Sequence, residues 1–171
     1  MLPRLAPLLA IAVVGASCGD ETVLYVDPDV ALDGGTSGPE ALTIGFTDPG
    51  PPTVFTDLAT VPTLRVIHGL QGGTWTMPTF RIDGPVPAVT VTCSVTTGVE
   101  EIGVLSRKVG THLMGDGQVE IPFLPIPIRH APPRVTDPID DLDGVAASID
   151  CTVEGGGGRA RATYAVTVDV Q

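Results

Sequence analysis

The chain has 171 residues, 20 acidic against 9 basic, a net charge of −11 and only 4% aromatic residues. A surface of that sign repels polyanions, which excludes nucleic acid and anionic lipid headgroups as electrostatic partners. With 21 glycines, 17 prolines and abundant Val and Thr, the composition describes many short strands joined by tight turns rather than helices.

Residues Met1–Ser17 carry one basic residue, Arg4, and then an apolar run, Leu5–Val14. Its 10 residues match a secretory h-region and are too few to span a bilayer as a helix. Gly15, Ala16 and Ser17 are small and lead to Cys18. This order resembles the signal peptide and lipobox of bacterial lipoproteins, with Gly15 standing where that family usually has a branched aliphatic residue. The resemblance implies cleavage before Cys18 and a lipid anchor on Cys18. It places the protein in the cell envelope, at the outer membrane of a Gram-negative bacterium because Gly19 rather than an aspartate follows the cysteine. The alternative is plain secretion to the periplasm. The cysteine count agrees with an anchor. Of three cysteines, lipid takes Cys18, and Cys93 and Cys151 are expected to pair in an oxidising compartment.

Residues 18–57 read as an acidic, Gly/Pro-rich tether. Asp27-Pro28-Asp29 and the run Asp33–Pro39 are turn and linker chemistry. Thr22–Val26 and Ala41–Phe46 are short apolar pieces expected as edge strands. Residues 58–171 read as the β domain. Thr63–His68 and Thr74–Asp83 flank a Gly-rich turn at Gly69–Gly73. Ala88–Thr96 alternates, with Val89, Val91, Cys93 and Val95 on one face and threonine or serine on the other, the pattern of a half-buried antiparallel strand. Ile102–Val109 is a further strand. His112–Met114 and Gln118–Phe123 surround the turn Gly115-Asp116-Gly117. Pro122, Pro125 and Pro127 confine the next stretch to a sheet edge. The last hairpin places Val145, Ala147, Ile149, Cys151 and Val153 on one face. Ala160, Ala162, Tyr164, Val166, Val168 and Val170 share a face of its second strand.

Two sequence-distant cysteines on apolar strand faces resemble the inter-sheet bridge of immunoglobulin-like domains. The resemblance covers 63–170 and implies an all-β, antiparallel, immunoglobulin-like β-sandwich. It departs at Trp75, which precedes the first cysteine rather than following it. A narrower likeness lies in His68-Gly69-Leu70-Gln71-Gly72-Gly73-Thr74-Trp75. It resembles a Gly-x-Gln-Gly-Gly-x-His/Trp segment of uncharacterised predicted lipoproteins of Gram-negative bacteria, a likeness that implies no activity. Gln71, Gly72, Gly73 and Trp75 form either a binding loop or a plain turn whose tryptophan caps the core.

No Gly-x-Ser-x-Gly elbow and no zinc-ligand spacing occurs, so no catalytic residues and no cofactor are expected. Two metal sets are conceivable. Asp137, Asp140, Asp141 and Asp143 crowd one loop with oxygen ligands suited to calcium. His112-Leu113-Met114, with His68 and Met77 upstream, offers imidazole and thioether to Cu(I); the pairing is similar to that of periplasmic copper chaperones of cupredoxin-like fold, and its spacing differs from theirs. The leading expectation is a lipid-anchored, non-catalytic binding or structural module of the envelope. Its partners would be the membrane through Cys18 and an envelope protein or glycan.

Overall fold

The computed structural model describes residues 38–69, 72–114 and 117–171. The leader, Cys18, the expected strand Thr22–Val26, Gln71 and the turn residues Gly115 and Asp116 lie outside the described residues.

The fold is all-β. The first strand, β1 (Ala41–Asp48), buries Leu42, Ile44 and Phe46 on one face. It pairs antiparallel with both β2 (Val54–Asp57) and a later strand, so it is not the edge piece of a tether. The β domain therefore includes residues 41–57, which the sequence reading assigned to the tether. The cause is the Leu42-x-Ile44-x-Phe46 alternation, which needs a core to cover it.

β3 (Thr63–Gly69) and β4 (Gly73–Thr76) form the hairpin around the Gly-rich turn. The expected strand Thr74–Asp83 is broken at Met77-Pro78. Its second half, β5 (Thr79–Asp83), belongs to a different sheet from β4. Proline has no N–H to donate to a ladder, so the chain changes sheet there. β6 (Ala88–Thr97) and β7 (Glu101–Gly110) follow as a long hairpin. β8 (His112–Leu113) and β9 (Val119–Ile121) are the two arms around Gly115–Gly117. β10 (Ile126–Pro127) is an edge strand, as its prolines require. A short 3-10 helix, Ile139–Leu142, precedes the closing hairpin of β11 (Ala146–Gly155) and β12 (Gly158–Val170).

Two sheets result. The smaller runs β2-β1-β5-β9-β8 and is antiparallel throughout. The larger runs β10-β4-β3-β12-β11-β6-β7 and is mixed, because β12 lies parallel to β3 with Thr167 opposite Thr63 and Val170 opposite Val66. Its two edges approach each other. Gly103 of β7 bridges to Ile128, just past β10, and the Arg129 amide donates to the Ile102 carbonyl (2.8 Å). One core fills the space between the layers. Ile44, Phe80, Ile82 and Ile121 come from the smaller sheet, and Leu64, Val66, Val91, Ile149, Val153 and Val168 from the larger.

Cys93 and Cys151 form a disulfide across 58 residues of chain. They face each other directly on β6 and β11, neighbouring strands of the larger sheet, with Cα atoms 4.1 Å apart. That short separation is typical of a non-hydrogen-bonded pair in an antiparallel ladder. The bridge is thus a staple within one sheet, where the immunoglobulin resemblance implied a tie between two sheets. Both sulfurs are fully buried in the core. Closing a loop of this length stabilises by about 4 kcal/mol on a chain-entropy argument. Replacing both cysteines with alanine should lower unfolding stability by about 2–4 kcal/mol in urea titration while the far-ultraviolet dichroism keeps its β signature.

Candidate functional site

The Gly-rich turn is built around Trp75. Trp75 stands opposite Ile67 in the β3–β4 ladder, and Gly73 stands opposite Gly69. These four share the face turned away from buried Leu64, Val66 and Thr76. The indole lies over the two glycines. A Cβ on Gly69 would fall inside the ring edge, and a Cβ on Gly73 would come within 2.5 Å of Cη2 and Cζ2. Gly72 closes the turn with φ of 77° and donates its N–H to the Gly69 carbonyl (3.0 Å). The glycines of the motif thus have a packing role. The tryptophan does not cap the core, as the turn reading held; it covers a glycine floor on the outer face and stays partly exposed. Trp75 is the single tryptophan, so its fluorescence reports this contact alone. Gly73→Ala should red-shift the emission and cost about 1–3 kcal/mol of stability through overpacking, measured by fluorescence-detected unfolding.

The four candidate copper ligands are not brought together. His68 lies next to the last residue of β3 in the larger sheet, and its Nε2 donates to Asp140 Oδ1 (3.0 Å). His112 sits on β8, opposite Glu120, at the edge of the smaller sheet. Met77 lies just before β5, whereas the Met114 amide donates to the Gln118 carbonyl (2.7 Å), and the Gln118 side chain reaches Asp83 at the other end of β5. Six residues of extended chain separate those ends, about 20 Å.

The four candidate calcium ligands are committed elsewhere. Asp137 accepts from Arg134 Nε (2.8 Å), and Asp141 lies 3.8 Å from Arg134 Nη2. Asp140 holds His68, and Asp143 Oδ1 accepts the Val170 amide (3.1 Å). Among the described residues no group of three His, Cys, Asp or Glu side chains is placed to hold a metal ion.

A polar node that the sequence reading missed lies beside this loop. His130 is buried, and both its ring nitrogens face acceptors. Nδ1 donates to Glu100 Oε1 (2.8 Å), and Nε2 lies 3.1 Å from the Pro138 carbonyl. Glu100 also accepts the Ala131 amide (2.9 Å) and Arg134 Nη1 (3.2 Å). The node ties the segment 130–141 to the β6–β7 turn. The His130 hydrogen bond, then the Ala131 amide and the nearby positive charges, hold the Glu100 carboxyl below its ordinary value against the opposing effect of burial.

A depressed folded-state value means that Glu100 contributes stability above the unfolded carboxyl value of about 4.3. That contribution is lost as pH falls through the lower folded-state value. Acid unfolding followed between pH 5 and pH 2 should therefore show a steeper loss of stability for the native chain than for Glu100→Gln.

Two shallow depressions open on the surface. One, of about 260 Å³, is lined by Phe46, Val61, Arg65, Asp169 and Gln171, and its Arg65 is paired with Asp48 (2.6 Å). The other, of about 420 Å³, lies at the free end of the β11–β12 hairpin between Lys108 and Glu154. No protein-family model, curated protein or solved structure matches the chain.

Proposed function

We propose that this protein is a lipid-anchored, non-catalytic β-sandwich of the bacterial cell envelope, serving as a binding or structural module. The supporting observation is the cysteine pairing. Cys93 and Cys151 are opposed on adjacent strands and joined. That accounts for two of three cysteines and leaves Cys18, at the end of the apolar leader, for acylation. A disulfide in the core also suits an oxidising compartment. An immunoglobulin-like arrangement belongs to the same reading, supported by two β layers about one core and by sequence-distant cysteines at its centre. The within-sheet position of the bridge is where this chain departs from that pattern.

The anchor would hold the domain at the outer membrane, with an envelope protein or glycan as its partner and with nucleic acid excluded by charge. The non-catalytic part of the reading draws on the histidines. His130 uses both nitrogens internally and His68 is held by Asp140. An intact-mass spectrum of the protein purified from its own membranes tests the proposal. Acylated Cys18 with two hydrogens lost to the bridge is the expected result. An unacylated chain cleaved near residue 17 would replace the anchor with secretion.

A further inference from the structure

The cations of this acidic chain are unevenly committed. Arg65, Arg81, Arg134, Arg159 and Arg161 each reach a carboxylate. Arg107 and Lys108, neighbours on β7, are exposed and form no ion pair among the described residues. β7 is the outermost strand of the larger sheet. Among the described residues only its start has a partner on the far side, where Gly103 bridges to Ile128 and the Arg129 amide donates to the Ile102 carbonyl. The chain beside it then continues back into Pro127, which has no N–H to give. Over 106–110 no described backbone group pairs with that side of β7. Such an edge is a template for another strand.

The ladder register says which groups this edge presents. Cys93 and Cys151, with Cα atoms 4.1 Å apart, are a non-hydrogen-bonded pair, so Cys93 turns its N–H and C=O toward Leu105 on its other side. Leu105, Arg107 and Val109 therefore bond to β6, and Ser106, Lys108 and Gly110 point their backbone groups outward. The Thr111 amide, which donates to the Pro87 carbonyl (3.0 Å), keeps the same alternation. The side chains alternate too. Lys108 stands opposite exposed Thr90 on the outer face of the sheet, and Arg107 opposite buried Val91 on the other face. The edge thus carries one positive charge on each face, at adjacent positions. A second β7 would bring the same two cations to the same line, so like charge disfavours pairing between two copies. Glu154, which shares a depression of about 420 Å³ with Lys108, is held by Arg159 (3.2 Å).

We infer that the 106–110 edge of β7 docks an extended segment of a partner protein that carries two consecutive acidic residues, added as a strand to the larger sheet. Consecutive residues of a strand lie on opposite faces, so one carboxylate meets Lys108 and its neighbour meets Arg107. Two acidic residues separated by one position share a face and reach only one of the cations. Ser106, Lys108 and Gly110 supply the ladder bonds, and the two charges select the strand that makes them. The net charge of −11 repels acidic chains at long range, so the contact depends on the ladder and the paired charges together. This inference rests on the reading of the protein as a binding module and names its partner as a protein rather than a glycan. It needs no acylation, so the mass spectrum and the following experiment fail separately.

A fluorescein-labelled peptide, Ser-Val-Thr-Glu-Glu-Val-Thr-Ser, titrated with the full chain at physiological ionic strength and followed by anisotropy, tests the edge. Affinity should fall at least tenfold in Arg107→Glu and in Lys108→Glu. The isomer Ser-Val-Glu-Thr-Glu-Val-Thr-Ser should bind the native chain at least fivefold more weakly. A peptide with Lys-Lys in place of Glu-Glu should prefer the doubly reversed edge. Where a reversed chain loses its β dichroism, Arg107→Gln with Lys108→Gln takes its place and should show the same loss. Amide exchange read by nuclear magnetic resonance should slow at least tenfold at Ser106, Lys108 and Gly110 when the first peptide is bound. Failure of the native chain to bind that peptide overturns the inference, as does equal binding by the native and doubly reversed chains. Binding without slower exchange at those three amides also overturns it, since charge attraction alone then explains the contact. So does slow exchange there before any peptide is added, because the edge is then occupied by another part of the chain, or by a second copy where the slowing grows with protein concentration.

Discussion

The register of β6 against β11 governs the larger sheet, and the Cys93–Cys151 bridge is what fixes it. A slip by one residue would turn Thr90, Thr92 and Ser94 inward and expose Val91 and Val95, since side chains alternate with period two. The bridge removes that alternative covalently, at the centre of the ladder, with Val91–Val153 on one side and Val95–Ile149 on the other. The adjoining strands inherit the register. Leu105 of β7 stands opposite Cys93, and Ala162 of β12 opposite Cys151, so one row across four strands shares the bridge as its middle. β12 in turn positions β3 through their parallel pairing, and β3 positions the Gly-rich hairpin. A chain with few aromatic side chains has little bulky material with which to specify its core. A fixed cross-strand link supplies part of that specificity.

What was legible in the sequence was periodicity. Val89 to Val95 and Ala147 to Val153 alternate and are buried as alternation implies. The paired cysteines followed from their number and their faces. The partner strand was not legible, because alternation says which face is buried but not which sheet supplies the cover. Thr74–Asp83 reads as one strand, yet Pro78 hands its two halves to different sheets. Ala41–Phe46 sits amid turn chemistry and looks peripheral, yet β1 lies between β2 and β5 with Ile44 fully buried. The cysteines likewise gave a bond without revealing that it lay inside a single sheet.

Side-chain chemistry was legible only where partners are close in sequence. Four aspartates within seven residues resemble a cation site until their surroundings are known. Arg134, three residues before Asp137, takes two of them, and His68 and the Val170 amide take the others. Glu100 and His130 are 30 residues apart, and each alone looks like a surface residue or a lone histidine. Only folding makes them a buried pair. Because the carboxylate accepts from His130, the Ala131 amide and Arg134, it fastens an otherwise irregular segment. That segment supplies the 3-10 helix whose Leu142 enters the core and whose Asp140 reaches β3.

The same accounting of partners explains why β7 stands apart. Exposed ion pairs contribute little stability each, but in a chain with this excess of acid an unpaired cation is in the wrong company unless something keeps it so. Spare carboxylates outnumber spare cations across the surface, and yet none of the described ones settles on Arg107 or Lys108. The strand geometry supplies one reason. Lys108 stands opposite Thr90 and Arg107 opposite Val91, so their only ladder neighbours are uncharged. Beyond Gly103 no described backbone group pairs with the other side of β7, and a strand that pairs there meets two positive charges together with a row of backbone donors and acceptors. An acidic strand satisfies both at once, and a neutral or basic one leaves the charges buried against it. The edge is therefore selective by construction.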